Sequence, residues 1–199
     1  MTVPSPSLAI PLEVSARRPA DTSMLECARR GEPDAVAWLY DEHHHAVRRF
    51  AVRLLGDTDT AEDLVHDVFL SLPGAMRRWR GQGSIRSLLI GIAVNKARRH
   101  LRSLRRRRAA TDRFSQQPRA ANEESPEATM RRAELVQSLQ CALDDLPLKQ
   151  RVAFVLCELE ERTSVEAAAI VGVSAGTMRS RLHHAKAKLR ARLEREGFR

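Results

Sequence analysis

Apolar residues recur along this chain at helical spacing, in short runs separated by recognisable breaks, and no alternating strand pattern competes with them. Residues 1–21 hold Pro4, Pro6, Pro11 and Pro19 and lack that periodicity, so they are expected to form a disordered extension. The first helix is predicted from Thr22 to Arg30, stopped by Gly31. A second follows Pro33, with Val36, Leu39, Tyr40, Val47, Phe50 and Leu54 on one face, and ends before Gly56. A third starts with Thr60 as N-cap and Asp63 three residues on, carries Leu64, Val68, Phe69 and Leu72, and is broken or kinked at Pro73-Gly74. After a loop at Arg80–Gly83, Ser84 caps a fourth helix bearing Leu88, Leu89, Ile92, Ala93 and Leu101. Residues 109–129 are mostly polar and read as a linker, with Ser125-Pro126-Glu127 restarting a helix near its end. Leu146-Pro147 breaks the chain again, and three more helical signals fill the remainder. The predicted fold is all-α: two small helical domains, residues 22–108 and 130–199, joined by a flexible linker.

The last two helical signals are organised in a particular way. Thr163-Ser164-Val165-Glu166 has the form of a capping box opening a helix to Val171, with Ala168, Ile170 and Val171 facing inward. Gly172 supplies the left-handed backbone a tight turn needs, Val173 plugs the corner, and Ser174 caps the next helix. Met178 and Leu182 anchor that helix to the first. This is the spacing of a helix-turn-helix. Its second helix presents Thr177, Arg179, Ser180, Arg181, His183, His184, Lys186 and Lys188 outward, side chains suited to base edges and phosphates in a major groove.

Charge sharpens the picture. The 199 residues carry 34 Lys+Arg against 25 Asp+Glu, a formal net charge of +9, which suits DNA, RNA or an acidic membrane surface as partner. The surplus is local. From Gly176 to Arg199 there are eight Lys/Arg and two Glu, and from Arg98 to Arg108 seven arginines and no acid. Conversely Asp57, Asp59, Glu62, Asp63 and Asp67 follow one another without an intervening Lys or Arg, a surface fitted to a basic protein partner rather than to DNA. Cys27, Cys141 and Cys157 are too scattered for a disulfide framework or a zinc site and read as buried reduced thiols of a cytosolic protein. His43-His44-His45 occupy successive helix positions about 100° apart and cannot converge on one metal ion. The longest apolar run, Leu88–Val94, is far too short to cross a bilayer, and the first twenty residues do not have the form of a signal peptide. No nucleophile motif or phosphate-binding glycine loop is present, and no cofactor is indicated.

The stretch Leu146-Pro147-Leu148-Lys149-Gln150-Arg151, with Gly176-Thr177-Met178-Arg179-Ser180-Arg181-Leu182 after the turn, resembles region 4 of bacterial sigma-70-type sigma factors, most closely the extracytoplasmic-function (ECF) subfamily. Ala61-Glu62-Asp63-Leu64-Val65-His66-Asp67-Val68-Phe69-Leu70 is similar to region 2.2 of that subfamily. Arg80-Gly81-Gln82-Gly83-Ser84-Ile85-Arg86-Ser87-Leu88-Leu89 with Ile92-Ala93-Val94-Asn95 is similar to regions 2.3 and 2.4.

The resemblance implies a transcription-initiation factor without catalytic residues. Core RNA polymerase would be its partner, through the clamp helices of the largest subunit and the flap of the second-largest, with promoter DNA and an anti-sigma factor, often membrane-bound, as further partners. Asp63, Leu64, Asp67 and Val68 would contact polymerase, while Phe69 and Leu72 belong to the core. Arg80, Gln82 and Ser84 would hold a base flipped from the −10 element, Asn95 would face the same strand, and Arg98, Arg99 and Arg102 its backbone. Thr177, Arg179, Ser180, Arg181, His183, His184 and Lys186 would read the −35 element. The chain departs from the family where aromatics are common (Pro73, Ile85, Leu88, Ile90) and at Gly91, where the family usually has Arg. A dimeric helix-turn-helix regulator would leave the acidic helix and the Arg80–Asn95 segment unexplained, and a basic RNA-binding or membrane-surface protein would show no promoter specificity and no affinity for polymerase.

Overall fold

The computed structural model describes residues 19–81, 83–111 and 138–197, and among these the chain is helical with no strand. Four helices form the first domain: α1 (Pro19–Arg30), α2 (Pro33–Leu55), α3 (Thr58–Arg78) and α4 (Ile85–Thr111). The second holds the helical residues 138–144 (α5), α6 (Leu148–Phe154) continued by one π-helical turn (Val155–Leu159), α7 (Ser164–Val171) and α8 (Ala175–Arg195). Residues 112–129 of the expected linker, and the expected helix restart at Ser125, lie outside the described residues.

Three local readings change. α1 begins at Pro19, three residues early, since a proline is tolerated in a first turn whose N–H groups have no helical partner. α3 is capped by Asp57, whose carboxylate accepts from the Thr60 N–H at 2.8 Å, and Thr60 itself lies fully buried one turn inside. Pro73 does not end α3, which runs on to Arg78. An interior proline costs about 3 kcal/mol, but Leu72 and Met76 on either side are both fully buried. Their burial returns about 1.5–3 kcal/mol each, enough to carry the helix through.

The four N-terminal helices pack around Leu39, Phe50, Leu54, Leu64, Leu72 and Leu89, none of which touches solvent. This core does not stop at the domain boundary: Val152, Ala153, Leu156, Ala167 and Met178 join the same contiguous apolar cluster. A smaller cluster of Ala142, Leu143, Leu146, Ala185 and Leu189 holds α5 against α8. The two small helical domains predicted from the sequence pack against each other in the structure.

Candidate functional site

The helix-turn-helix forms as its residues dictate. The Thr163 hydroxyl accepts from the Glu166 N–H at 3.2 Å, and the Glu166 carboxylate accepts from the Thr163 N–H at 2.8 Å, closing the capping box. Gly172 takes the left-handed conformation (φ 73°), its N–H and that of Val173 both bonding the Ala168 carbonyl, and Ser174 then caps α8 by accepting from the Thr177 N–H at 3.1 Å. Met178 is fully buried, and the crossing is set by Ala167 and Ala168, both buried, with Ile170 and Val171 only half so. The cap leaves Thr177, Arg179, Ser180, His183, His184 and Lys186 exposed along α8, with Arg181 half-exposed. Lys186 is tied to Glu158 at 2.8 Å, so it faces the neighbouring turn as well as solvent.

The capping box makes a first prediction. The Thr163 hydroxyl and N–H hold the Glu166 carboxyl below the usual glutamate value. A depressed folded value means this stabilisation is present above about pH 4.3, the ordinary glutamate value, and is lost as pH falls through the folded one. Thr163→Ala is expected to cost about 1 kcal/mol in urea unfolding at neutral pH, with the difference from wild type narrowing in acid to the share of the N-cap bond from the Glu166 N–H, which does not titrate. A constant difference across pH would show that the bond from the Thr163 hydroxyl to the Glu166 carboxylate contributes nothing.

A second surface lies at the start of α4. The Arg29 guanidinium donates to the Trp79 carbonyl at 2.9 Å and fixes the end of α3. The loop that follows contains Gly81 (φ 79°) and Gly83 (φ 78°), with open space where a Gly81 side chain would be. Arg80 is exposed; Gln82 lies outside the described residues. The Ser84 hydroxyl accepts from the Ser87 N–H at 3.1 Å, so it serves as the α4 N-cap while remaining exposed. Asn95, Arg98 and Arg102, at helical spacings of three and four, form an exposed stripe along α4. Arg99 stands at the edge of that stripe and donates to Asp67 at 2.8 Å. It is nonetheless 74% exposed, free to exchange that partner for a phosphate.

The acidic face of α3 is divided. Asp59, Glu62 and Asp63 are exposed, with Glu62 paired to Arg48. Asp67 is half-buried, 2.8 Å from Arg99 and 2.9 Å from the nearly buried His100. Partial burial would raise its carboxyl, but the His100 hydrogen bond and the Lys96 and Arg99 charges outweigh that and hold it below the usual aspartate value. Leu64 and Val68, expected to contact polymerase, are fully buried. They fall at i and i+4 with Leu72 on the core stripe of α3 and reach no partner surface, so of the four expected contacts only Asp63 is freely presented. Phe69 and Leu72 are core residues as expected.

Sequence reasoning did not find His100, nor a set of charged residues at the domain seam. Arg151 is 1% exposed, donating to the Leu54 carbonyl at 3.1 Å and pairing with Asp144 at 2.8 Å. Glu160, its side chain 8% exposed, is held by Arg53 at 2.7 Å and Arg86 at 2.9 Å. Cys27 and Cys157 are half-buried and Cys141 exposed, not the three buried thiols expected. Among the described residues no group of His, Cys, Asp and Glu could hold a metal ion, and no helix is long and apolar enough to cross a membrane. His44 stacks on Tyr40 with ring centroids 4.8 Å apart.

Comparison with known proteins places both surfaces in one family. Residues 39–107 match the family model for Sigma-70 region 2, and residues 136–189 that for Sigma-70 region 4. The chain is 30% identical over 181 residues to the ECF RNA polymerase sigma factor SigC of Mycobacterium tuberculosis, covering 88% of this chain and 92% of that one. It is 32% identical over 155 residues to the ECF RNA polymerase sigma factor SigE of Mycolicibacterium smegmatis, covering 76% of this chain but spanning only 59% of that relative's length. Among solved structures, the sigma factor RpoE of Bartonella quintana, in complex with the anti-sigma factor NepR, superposes with a TM-score of 0.55 at 25% identity, covering 79% of this chain and 96% of that one.

Proposed function

The chain belongs to the ECF subfamily of sigma-70-type sigma factors, and from that footing we propose how its surfaces divide the work of directing core RNA polymerase to a promoter. The observation that carries the reading is that one chain presents two separate exposed basic surfaces of different kinds. One is a capped, rigid helix whose exposed side chains suit duplex edges. The other is an open glycine loop running into a basic helix, which suits an extruded base and its strand.

In this reading α8 reads the −35 element with Thr177, Arg179, Ser180, Arg181, His183 and His184, and Lys186 supports the backbone. Arg80, Gln82 and Ser84 form the −10 loop, Asn95 follows the same strand, and Arg98, Arg99 and Arg102 take its phosphates. Asp63 and its acidic neighbours meet the clamp helices of the largest polymerase subunit, with Asp67 set by Arg99 and His100. The protein has no catalytic residue of its own and works in the cytoplasm at the nucleoid. An anti-sigma factor is a further partner, the reading supported by the Bartonella complex.

Purified protein added to core polymerase is expected to create promoter-specific start sites on fragments of the source genome. No new start site on any fragment would overturn the reading, and binding of duplex DNA alone would point to an ordinary helix-turn-helix regulator. Within the reader set, Arg179→Ala is expected to weaken −35 discrimination by about 1–3 kcal/mol, the worth of a bidentate base contact. An unchanged preference at every −35 position removes Arg179 from that set.

A further inference from the structure

The glycine loop before α4 is entered through one peptide bond, and a helix outside the matched family region holds that bond. α1 lies before residue 39, where the match to Sigma-70 region 2 begins. It buries Leu25 and Ala28 and packs against α3. Gly31, just past its end, sits beside Pro73: a β-carbon there would lie 3.8 Å from the proline β-carbon. This packing brings Arg29, in the last turn of α1, to the C-terminus of α3, 50 positions along the chain. One guanidinium nitrogen, Nη2, donates to the Trp79 carbonyl at 2.9 Å, and the other, Nη1, lies 3.6 Å from the Glu26 carboxylate one turn back. The guanidinium is held from both sides.

A peptide unit is planar, so fixing the Trp79 carbonyl oxygen also fixes the Arg80 nitrogen and α-carbon in the same plane. The Trp79 N–H still belongs to α3, bonding the Ala75 and Met76 carbonyls at 3.0 and 3.2 Å. With ψ at 124°, the residue turns its own carbonyl away from the helix. A carbonyl at a helix end has no partner inside the helix, and a cation suits the partial negative charge there. Beyond Arg80 the chain passes Gly81 and Gly83, both left-handed. Glycine leaves a chain more conformational freedom than any other residue. On the far side Ser84 is fixed by its cap on α4. The Arg29 bond therefore sets the direction in which Arg80 leaves α3.

We propose that Arg29 is a positioning residue for −10 recognition: it holds the Trp79–Arg80 peptide so that Arg80 is presented before the strand arrives. The inference rests on the sigma-factor reading above and adds to it a residue that touches no DNA. Its effect is preorganisation. Extruding a base already carries the cost of unstacking it. A loop that must also order itself on the strand adds the entropy of every residue it fixes. Arg29 moves that ordering into the folding of the free protein, where the packing of α1 on α3 supports it.

Three full-length variants test this: Arg29→Met, which keeps the aliphatic stem and removes the donors; Arg29→Gln, which stops short of the carbonyl; and Arg29→Lys, which keeps a cation able to reach it. In the free proteins, tryptic cleavage after Arg80, read by mass spectrometry, is expected to quicken several-fold in the Met and Gln variants and to stay near wild type in Arg29→Lys. With core polymerase, promoter opening in the first two is expected to slow about two- to tenfold, the scale of ordering one long side chain on binding. Arg29→Lys is expected to recover most of that rate, with polymerase affinity and −35 preference unchanged in all three. The deciding measurement adds Arg80→Ala to Arg29→Met. If Arg29 acts through Arg80, the double variant opens promoters little more slowly than Arg80→Ala alone. Losses that multiply would overturn the proposal, as would wild-type opening in the single variants or an equal loss of −35 preference. Loss of helical circular dichroism in one of the first two leaves the other to decide, and loss in both means that Arg29 serves the fold rather than the loop. Cleavage reads the positioning without polymerase, whereas a wild type that programs no start site at all defeats the sigma-factor reading instead.

Discussion

Replacing Leu64 by alanine is expected to lower stability by about 2–5 kcal/mol, the cost of deleting a large side chain from a packed core, and to reduce polymerase binding only as far as the protein unfolds. Leu64 has no solvent exposure and shares the core stripe of α3 with Val68 and Leu72. For a domain whose total stability is about 5–15 kcal/mol, such a loss can consume a large part of the margin. Asp63→Lys, one position away on the exposed side of the same helix, is expected to do the reverse. A surface substitution of this kind changes stability by no more than about 0.5 kcal/mol. Reversing an exposed interfacial charge slows association and makes it less salt-dependent. Denaturant melts and association rates with core polymerase at two salt concentrations separate the two residues. A Leu64→Ala protein that melts like wild type yet fails to bind polymerase would mean that α3 exposes this side chain on docking, and the assignment of Leu64 to the core would fall.

That pair also shows what the sequence could and could not disclose. The helix-turn-helix was legible because every feature that specifies it is local: a hydroxyl and a carboxylate three residues apart, one glycine in the turn, a serine before the second helix. Leu64 and Val68 were misplaced because the family resemblance assigns a stretch of chain to an interface, whereas periodicity assigns each residue to a face. Read by periodicity alone, Leu64, Val68 and Leu72 fall on one stripe. Pro73 misled for another reason, since the cost of an interior proline is visible in sequence and the burial that offsets it is not. The seam was invisible. Its ion pairs join residues as far apart as Arg53 and Glu160, 107 positions along the chain, and a charged residue carries no mark of the partner it will meet. Gly91 was the one trace, a departure at which a β-carbon would lie 3.1 Å from the Ile170 carbonyl across the seam.

Arg151→Met is expected to split thermal unfolding into two transitions. The wild-type core runs without interruption from α1 to α8, so the docked molecule is expected to melt as one unit. Arg151 joins its two parts: one side-chain nitrogen donates to the Leu54 carbonyl in the last turn of α2, another pairs with Asp144 in α5, and only 1% of the residue is exposed. A cation there answers the partial negative charge of the α2 C-terminus and a carbonyl with no partner inside the helix. Methionine keeps most of the bulk but removes the charge, stranding that carbonyl and the Asp144 carboxylate. Removing one partner of a buried ion pair costs about 3–5 kcal/mol. Asp144 is 24% exposed and regains some water, which places the effect toward the lower end of that range. The loss of the Asp144 pair falls within the second domain, and the loss of the Leu54 hydrogen bond falls on docking, because the Leu54 carbonyl belongs to one domain and Arg151 to the other. Calorimetry should therefore resolve two overlapping transitions, with scattering showing expansion below the first. Changing Asp144 to leucine in the same chain removes the stranded carboxylate and should recover part of the stability, while the two transitions persist because Leu54 still lacks its donor. A single transition at the wild-type temperature in Arg151→Met would mean that the guanidinium contributes nothing to holding the domains together.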